Sequence, residues 1–298
     1  KLSFTAQYYD ELNALKKVFK ANPHADIISF LQPSIPMTLL AAKGLTNRVV
    51  VSERADPYRL LKKRYGYNFI KKYYQCADSV VFQTNDAMAA YPDNISEKGT
   101  VIFNPINNLL PEPYFGDREK YITTFCRISR QKNLPVLVEA FAEFRKTYSD
   151  YRLKIIGEPQ NDDDRASLNE TKALADKLGI TEYIDFHPFS SQVHGMIIRD
   201  AMYINSSDYE GMSNAMLEAM AIGMPVICTD CPIGGANAVI NNNENGILTE
   251  VGNAKELCEA MKKIAGDKSF ADKLSRNAAK IRHELSLENT AKKWMELF

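Results

Sequence analysis

The sequence predicts an α/β protein made of two doubly wound parallel-sheet domains, and three observations carry that expectation. Short apolar runs of strand length alternate with helix-length amphipathic stretches in both halves of the chain, the pattern of repeated βαβ units. A length of 298 residues suits two cores better than one. A polar segment holding three prolines, Asn104 to Pro113, breaks the alternation without helical periodicity and reads as the connection between the halves.

Residues 1–104 form the expected first domain. Apolar residues recur at helical spacing over 7–20, and the run 26–30 that follows is short, apolar and rich in β-branched residues, so it reads as a strand. A helix over 36–43, a strand over 48–52, helical stretches over 58–74, a strand over 79–82 and a short helix after Thr84 complete the half. With the apolar run Val101-Ile102-Phe103 that follows, this makes about four strand candidates where a doubly wound domain usually has about five or six. The chain also opens on Lys1 rather than Met, so the opening strands of this domain are expected to be missing. The linker is drawn over 105–116 and the second domain over 117–298. Its strands are expected at 121–125, 152–156, 183–186, 202–205 and 226–229, with helices at 134–147, 164–178 and 213–221. The last 45 residues are helical in pattern and lack strands.

Composition excludes several classes. With 45% apolar residues the chain can bury a core, so it is not intrinsically disordered. No apolar run approaches the ~20 residues needed to cross a bilayer. Five cysteines in so long a chain make no disulfide framework, which points to a reducing cytoplasmic setting. The 37 basic and 37 acidic residues cancel, which argues against nucleic acid as the partner. The cancellation is uneven, since residues 1–104 carry 14 basic and 9 acidic side chains and the remainder carries 23 and 28.

The most informative window runs from Tyr209 to Ile227. Ser213 or Asn214 caps a helix, strong helix formers follow, Gly223 stands at the C-terminal cap, and Pro225 stops the helix before a strand. In open α/β sheets ligands sit at the carboxyl ends of strands, where a helix N-terminus offers N–H groups to an anion. Glu210 lies just before that terminus and Glu218 within the helix, placed to accept hydrogen bonds from ligand hydroxyls. Two Glu eight residues apart, taken alone, are what any solvated helix shows.

The whole string Glu-Gly-x-x-Asn-x-x-x-Glu-Ala-Met-Ala-x-Gly-x-Pro, Glu210 to Pro225, resembles the donor-site signature of retaining GT-B glycosyltransferases, specifically glycosyltransferase family 4. Two further segments agree with it in order and position. Cys126-Arg127-Ile128-Ser129-Arg130-Gln131-Lys132-Asn133 is similar to the family's Gly-Arg-x-x-x-x-Lys-Asn loop, and Phe103-Asn104-Pro105 to its interdomain hinge. The likeness covers the chain from about Ala25 onward. It implies two Rossmann-like domains facing a cleft, with the nucleotide sugar held mainly by the second. By the same resemblance Arg127 and Lys132 neutralise the donor diphosphate, Glu210 orients the sugar and Glu218 holds the ribose. Gly211 and the backbone of Met212, Ser213 and Asn214 meet the phosphates, and His187 lies where relatives place base contacts.

The chain departs from the family pattern at three places. The family's Gly before the Arg is Cys126. The Gly-rich loop Pro232 to Ala238 lacks the acidic residue that relatives commonly have near Ala238. The family's His after the first domain's middle strand is replaced within Ser52-Glu53-Arg54-Ala55-Asp56-Pro57, where a branch that builds bacterial surface glycans looks similar. Glu53 and Arg54 are therefore acceptor-side candidates, with a turn closed by Asp56-Pro57 as the equal alternative.

Other signals weigh less. Asp162-Asp163-Asp164 contains an Asp-x-Asp but leads into a helix, where acids favour the N-terminal dipole, so no metal site is assigned. Cys228 and Cys231 have redox spacing without a second pair and read as ordinary thiols. From Pro57 to Tyr74 six basic residues and no acid are interleaved with aromatic and aliphatic ones. That segment reads either as a helix pair of the domain core or as a surface for an anionic membrane. The resemblance thus implies a metal-independent, cofactor-free hexosyltransferase using a nucleotide diphosphate sugar, with UDP favoured, and a glycan or lipid-linked glycan acceptor. It would be cytoplasmic or peripheral on the inner face of the plasma membrane. The rival of another class is a non-catalytic glycosyltransferase-like subunit that binds a glycan or stabilises a partner.

Overall fold

The computed structural model describes residues 4–31, 34–54, 57, 70 and 72–298. Contacts divide the chain into one unit of Lys1–Phe103 with Thr290–Phe298 and a second of Asn104–Asn289. The sequence placed residues 290–298 with the second domain. They return instead to the first, where Trp294 and Leu297 pack against Val50, Val81 and Ile102. Residues 105–116, read as linker, fall within the second unit.

In the first unit four parallel strands, β1 (Ile27–Phe30), β2 (Val49–Ser52), β3 (Ser79–Phe82) and β4 (Gly99–Val101), pair in sequence order. β4 is only three residues long and ends at Val101, where the apolar run Val101-Ile102-Phe103 begins. Helices α1 (Phe4–Ala21) and α2 (Ser34–Ala42) supply Phe19, Ile35 and Leu39 to a core shared with Val49, Val51, Val80 and Phe82. The expected helices over 58–74 and the basic aromatic segment lie almost wholly outside the described residues.

The second unit is a six-stranded parallel sheet, β5 (Glu119–Phe125), β6 (Arg152–Ile156), β7 (Ile184–His187), β8 (Asp200–Asn205), β9 (Val226–Thr229) and β10 (Ile247–Thr249), in the order β10-β9-β8-β5-β6-β7. The chain winds outward from β5 in one direction through β6 and β7, then crosses to β8 and continues the other way. The order reverses between β5 and β8, which pair directly. At such a switch point the loops leaving the two strands diverge and open a crevice at their carboxyl ends. Helix α3 (Leu134–Arg145) buries Leu137, Val138, Phe141 and Phe144 on one face of this sheet. Beneath the switch point Lys154 donates to both carboxylate oxygens of Asp200 at 3.0 Å, and Thr123 Oγ1 donates to the same group. Burial raises the Asp200 carboxyl above its ordinary value, and these two donors oppose the rise.

Candidate functional site

The two loops that leave the switch-point strands carry the residues singled out by the sequence. After β5 the chain passes Cys126, Arg127, Ile128 and Ser129 into a 3₁₀ turn, Arg130–Lys132, and Asn133 adopts a left-handed φ of 41° before α3 starts. After β8 it runs from Ser206 to Ser213 and enters helix α4 (Asn214–Ala221), capped by Ser213 Oγ, which accepts from Met216 N at 3.3 Å. Four hydrogen bonds stitch the loops. Ser206 Oγ donates to Lys132 O at 2.8 Å, Asp208 N to Gln131 O at 2.9 Å, Gln131 Nε2 to Tyr209 O at 2.9 Å and Asn133 Nδ2 to Asp208 Oδ1 at 2.5 Å. The loops therefore present their side chains as one rigid surface.

On that surface Lys132 Nζ forms an ion pair with Glu210, and Ser207 Oγ donates to Glu210 Oε2 at 3.0 Å. The structure thus joins the cation and the carboxylate that the sequence places 78 positions apart. Arg127 is exposed at the rim of a cavity of about 450 Å³ over the carboxyl ends of β5 and β6, which is also lined by Glu158, Gln160, Phe189, Val193 and Ala215. Met212 and Ser213 are buried, Asn214 is exposed, and the first N–H groups of α4 have no partner within the helix. Asn104 Nδ2 donates to Asn214 Oδ1 at 2.7 Å, which ties the hinge-like segment to the start of this helix.

Glycines set the spacing of the loops. A Cβ on Gly235 would stand 1.7 Å from Gly211 O, so the loop after β9 supports the Glu210-Gly211 turn from beneath. A Cβ on Gly157, whose φ is +154°, would stand 1.9 Å from Cys126 O. The role of Gly235 was illegible in the sequence because its neighbour is 24 residues away.

Glu218 is held by a residue the sequence reading passed over. His194, on the short helix α5 (Val193–Ile197), lies 2.9 Å through Nε2 from Glu218 Oε2. His187 ends β7 with its backbone oxygen accepting from Gly157 N at 3.0 Å, and the neighbouring Phe189, not His187, faces the cavity. Phe189 is 71% exposed, an aromatic face open to a ring-shaped ligand. A strand end followed by Pro-Phe was the only hint of it.

The remaining candidates have structural partners. Asn161 Oδ1 accepts from Asp164 N at 2.8 Å and Asp164 Oδ2 from Gln160 N at 3.2 Å, so Asn161 caps the helix Asp162–Lys177 and Asp164, in its first turn, fixes the backbone of the cavity residue Gln160. Among the described residues no group of three or more His, Cys, Asp or Glu is arranged to hold a metal ion. Cys231 Sγ donates to Ser207 O at 3.0 Å; burial pushes its thiol up to about 11 and raises Cys228 as well. Cys126 is likewise pushed up to about 11 by burial, a poor nucleophile beside the loop. In the first unit Glu53 is 4% exposed and accepts from the Tyr74 hydroxyl, while the Arg54 guanidinium lies over the rings of Phe30 at 5.4 Å and Trp294 at 5.8 Å. No helix among the described residues is long and apolar enough to cross a membrane.

The family model described as Glycosyl transferases group 1 matches residues 108–281, more than half of the chain. An uncharacterised glycosyltransferase of Haemophilus influenzae is 24% identical over 247 residues, covering 79% of this chain and 68% of its own. The N-acetylgalactosamine-N,N'-diacetylbacillosaminyl-diphospho-undecaprenol 4-alpha-N-acetylgalactosaminyltransferase of Campylobacter jejuni is 25% identical over 251 residues, covering 80% and 66%. The chain thus spans about two thirds of the length of these relatives. Anabaena HepE, in a crystal structure with UDP and glucose, superposes with a TM-score of 0.81 at 17% identity over 95% of this chain and 80% of that one. The fold is GT-B, built from two Rossmann-like α/β domains.

Proposed function

The chain belongs to the group 1 glycosyltransferases, and from that premise we propose that it transfers a hexose or N-acetylhexosamine from a nucleotide diphosphate sugar, with UDP as the nucleotide, to a hydroxyl of a glycan or lipid-linked glycan. The observation that carries this reading is the pairing of Lys132 with Glu210 at the switch point, beside Arg127 and a cavity large enough for a nucleoside. The Campylobacter relative, named for a diphospho-undecaprenol acceptor, and the UDP complex of HepE support the substrate class.

In this reading the base enters the cavity between Gln160 and Phe189, the ribose meets Glu218, and the diphosphate faces Arg127, Lys132 and the first N–H groups of α4. As the bond from the anomeric carbon to the phosphate oxygen breaks, negative charge grows on the leaving diphosphate, and the two cations stabilise it. Lys132 then exchanges part of its bond to Glu210 for the phosphate, which frees the carboxylate to accept from sugar hydroxyls. The acceptor oxygen attacks the same face, its proton passes to the departing phosphate, and the configuration is retained. Transfer needs no metal or prosthetic group, because these cations and N–H groups do the neutralising. The open aromatic and guanidinium surface of Arg54, Phe30 and Trp294 is the acceptor-side candidate, whereas buried Glu53 supports the sheet end.

Thermal shift with UDP, GDP and ADP tests the donor assignment. UDP is expected to protect the protein, and Lys132→Ala or Glu210→Ala to diminish that protection. Undiminished protection would refute the site, and absence of protection by any nucleotide would favour a glycan-binding subunit.

A further inference from the structure

Glu218 lies inside α4, one turn after Ala215, which lines the cavity, and itself lines a second pocket of about 290 Å³ with Asn214, Leu217 and Pro105. The Nε2 of His194 stands 2.9 Å from Glu218 Oε2. An ionised carboxylate only accepts hydrogen bonds, so the ring must carry its proton on Nε2 and donate. The ring is fixed in turn by an edge-on contact with Phe125 at 5.7 Å, and both Phe125 and Val193, the residue before the histidine, line the cavity. The two side chains are 16% and 25% exposed, so water competes little for the bond.

We propose that His194 is the positioning residue for the donor ribose. It holds Glu218 in a single rotamer, with Oε2 engaged and Oε1 left to accept from the ribose hydroxyls. The inference rests on the reading of Glu218 as the ribose contact. A glutamate has three side-chain torsions, and a carboxylate that must be ordered when the ligand arrives binds it more weakly than one already ordered. Side-chain ordering of this size corresponds to about a 2- to 10-fold change in affinity. The effect is expected to fall on hydroxyl recognition alone, because the proposed reading assigns Glu218 to the ribose and not to the base or the phosphates. A histidine that merely filled space would affect every nucleotide alike.

Isothermal titration calorimetry with UDP and 2',3'-dideoxy-UDP separates these outcomes. The parent protein is expected to prefer UDP. His194→Leu, which fills the space against Phe125 but cannot donate, should reduce that preference about 2- to 10-fold and leave dideoxy-UDP binding unchanged. His194→Gln, whose amide nitrogen can reach the same oxygen, should retain most of it, and Glu218→Gln should lose it. Equal weakening of both nucleotides in H194L, or an unchanged preference, would overturn the proposal. A parent protein that binds both nucleotides alike would instead show that Glu218 does not read the ribose, which overturns the underlying assignment as well.

Discussion

Replacement of Lys132 by Met removes the charge and keeps most of the side-chain volume, so it isolates the ion pair with Glu210. The partners are 14% and 18% exposed, which makes the pair stronger than a surface bridge while still reached by water. A hydrogen bond to a charged group contributes about 1.5–3 kcal/mol, and its loss leaves Glu210, among the described residues, with the Ser207 hydroxyl, which also reaches Asn205 Oδ1 at 2.6 Å. In a unit of this size each kcal/mol moves the melting midpoint by about 2–4 °C, so K132M should melt about 3–12 °C lower. Glu210→Gln in the same background removes the stranded charge, and the double variant should recover part of the loss. Activity should not recover with it. A cation aimed at developing oxyanion charge accounts for about 10²–10³ in kcat, and both variants should lose that much. Calorimetric melting and initial rates of UDP release with a full-length acceptor substrate measure the two effects. A K132M rate within about threefold of the parent, with the expected drop in melting temperature, would refute the catalytic reading and leave Lys132 a structural tether.

Three further outcomes follow from the same geometry. Gly235→Ala places a methyl within van der Waals overlap of Gly211 O, so the Glu210 turn must shift; UDP affinity by calorimetry should fall while far-ultraviolet circular dichroism stays unchanged. Alkylation by iodoacetamide at pH 8, followed by mass spectrometry, should label exposed Cys76 first and spare Cys126, Cys228 and Cys231, whose thiols burial raises. Arg152 donates to Asp185 at 2.9 and 2.5 Å and holds its carboxyl below the ordinary value. A depressed carboxyl adds stability above its unfolded pKa and loses it as pH falls through the folded one, so Asp185→Asn should be less stable than the parent at pH 7 and converge with it below about pH 4 in denaturant titrations.

What the sequence disclosed was local chemistry. Caps, turns and strand-length apolar runs are written within a few residues, so β3, β6 and β9 coincide with their expected bounds and the Ser213 cap stands where its motif predicts. The three-residue strand β10 escapes because its conformation is set by the neighbouring strand rather than by its own pattern. The site divides along the same line. Arg127, Lys132, Glu210 and Glu218 were visible as residue types in a recurring order, but the partner of each carboxylate was not. Glu210 finds Lys132 because the sheet reverses between β5 and β8, and Glu218 finds His194 because α5 places that ring against Phe125 at the end of β5. Glu53, which reads as an acceptor-side candidate or as part of a turn, is buried and accepts from the Tyr74 hydroxyl 21 residues away. Each of these contacts is a property of topology, and topology converts charges that look solvated one by one into paired groups of fixed geometry. A carboxylate paired in advance has lost the freedom that ligand binding would otherwise have to remove. On the proposed reading, the partners hidden from the sequence are therefore the ones expected to set how tightly the visible residues bind.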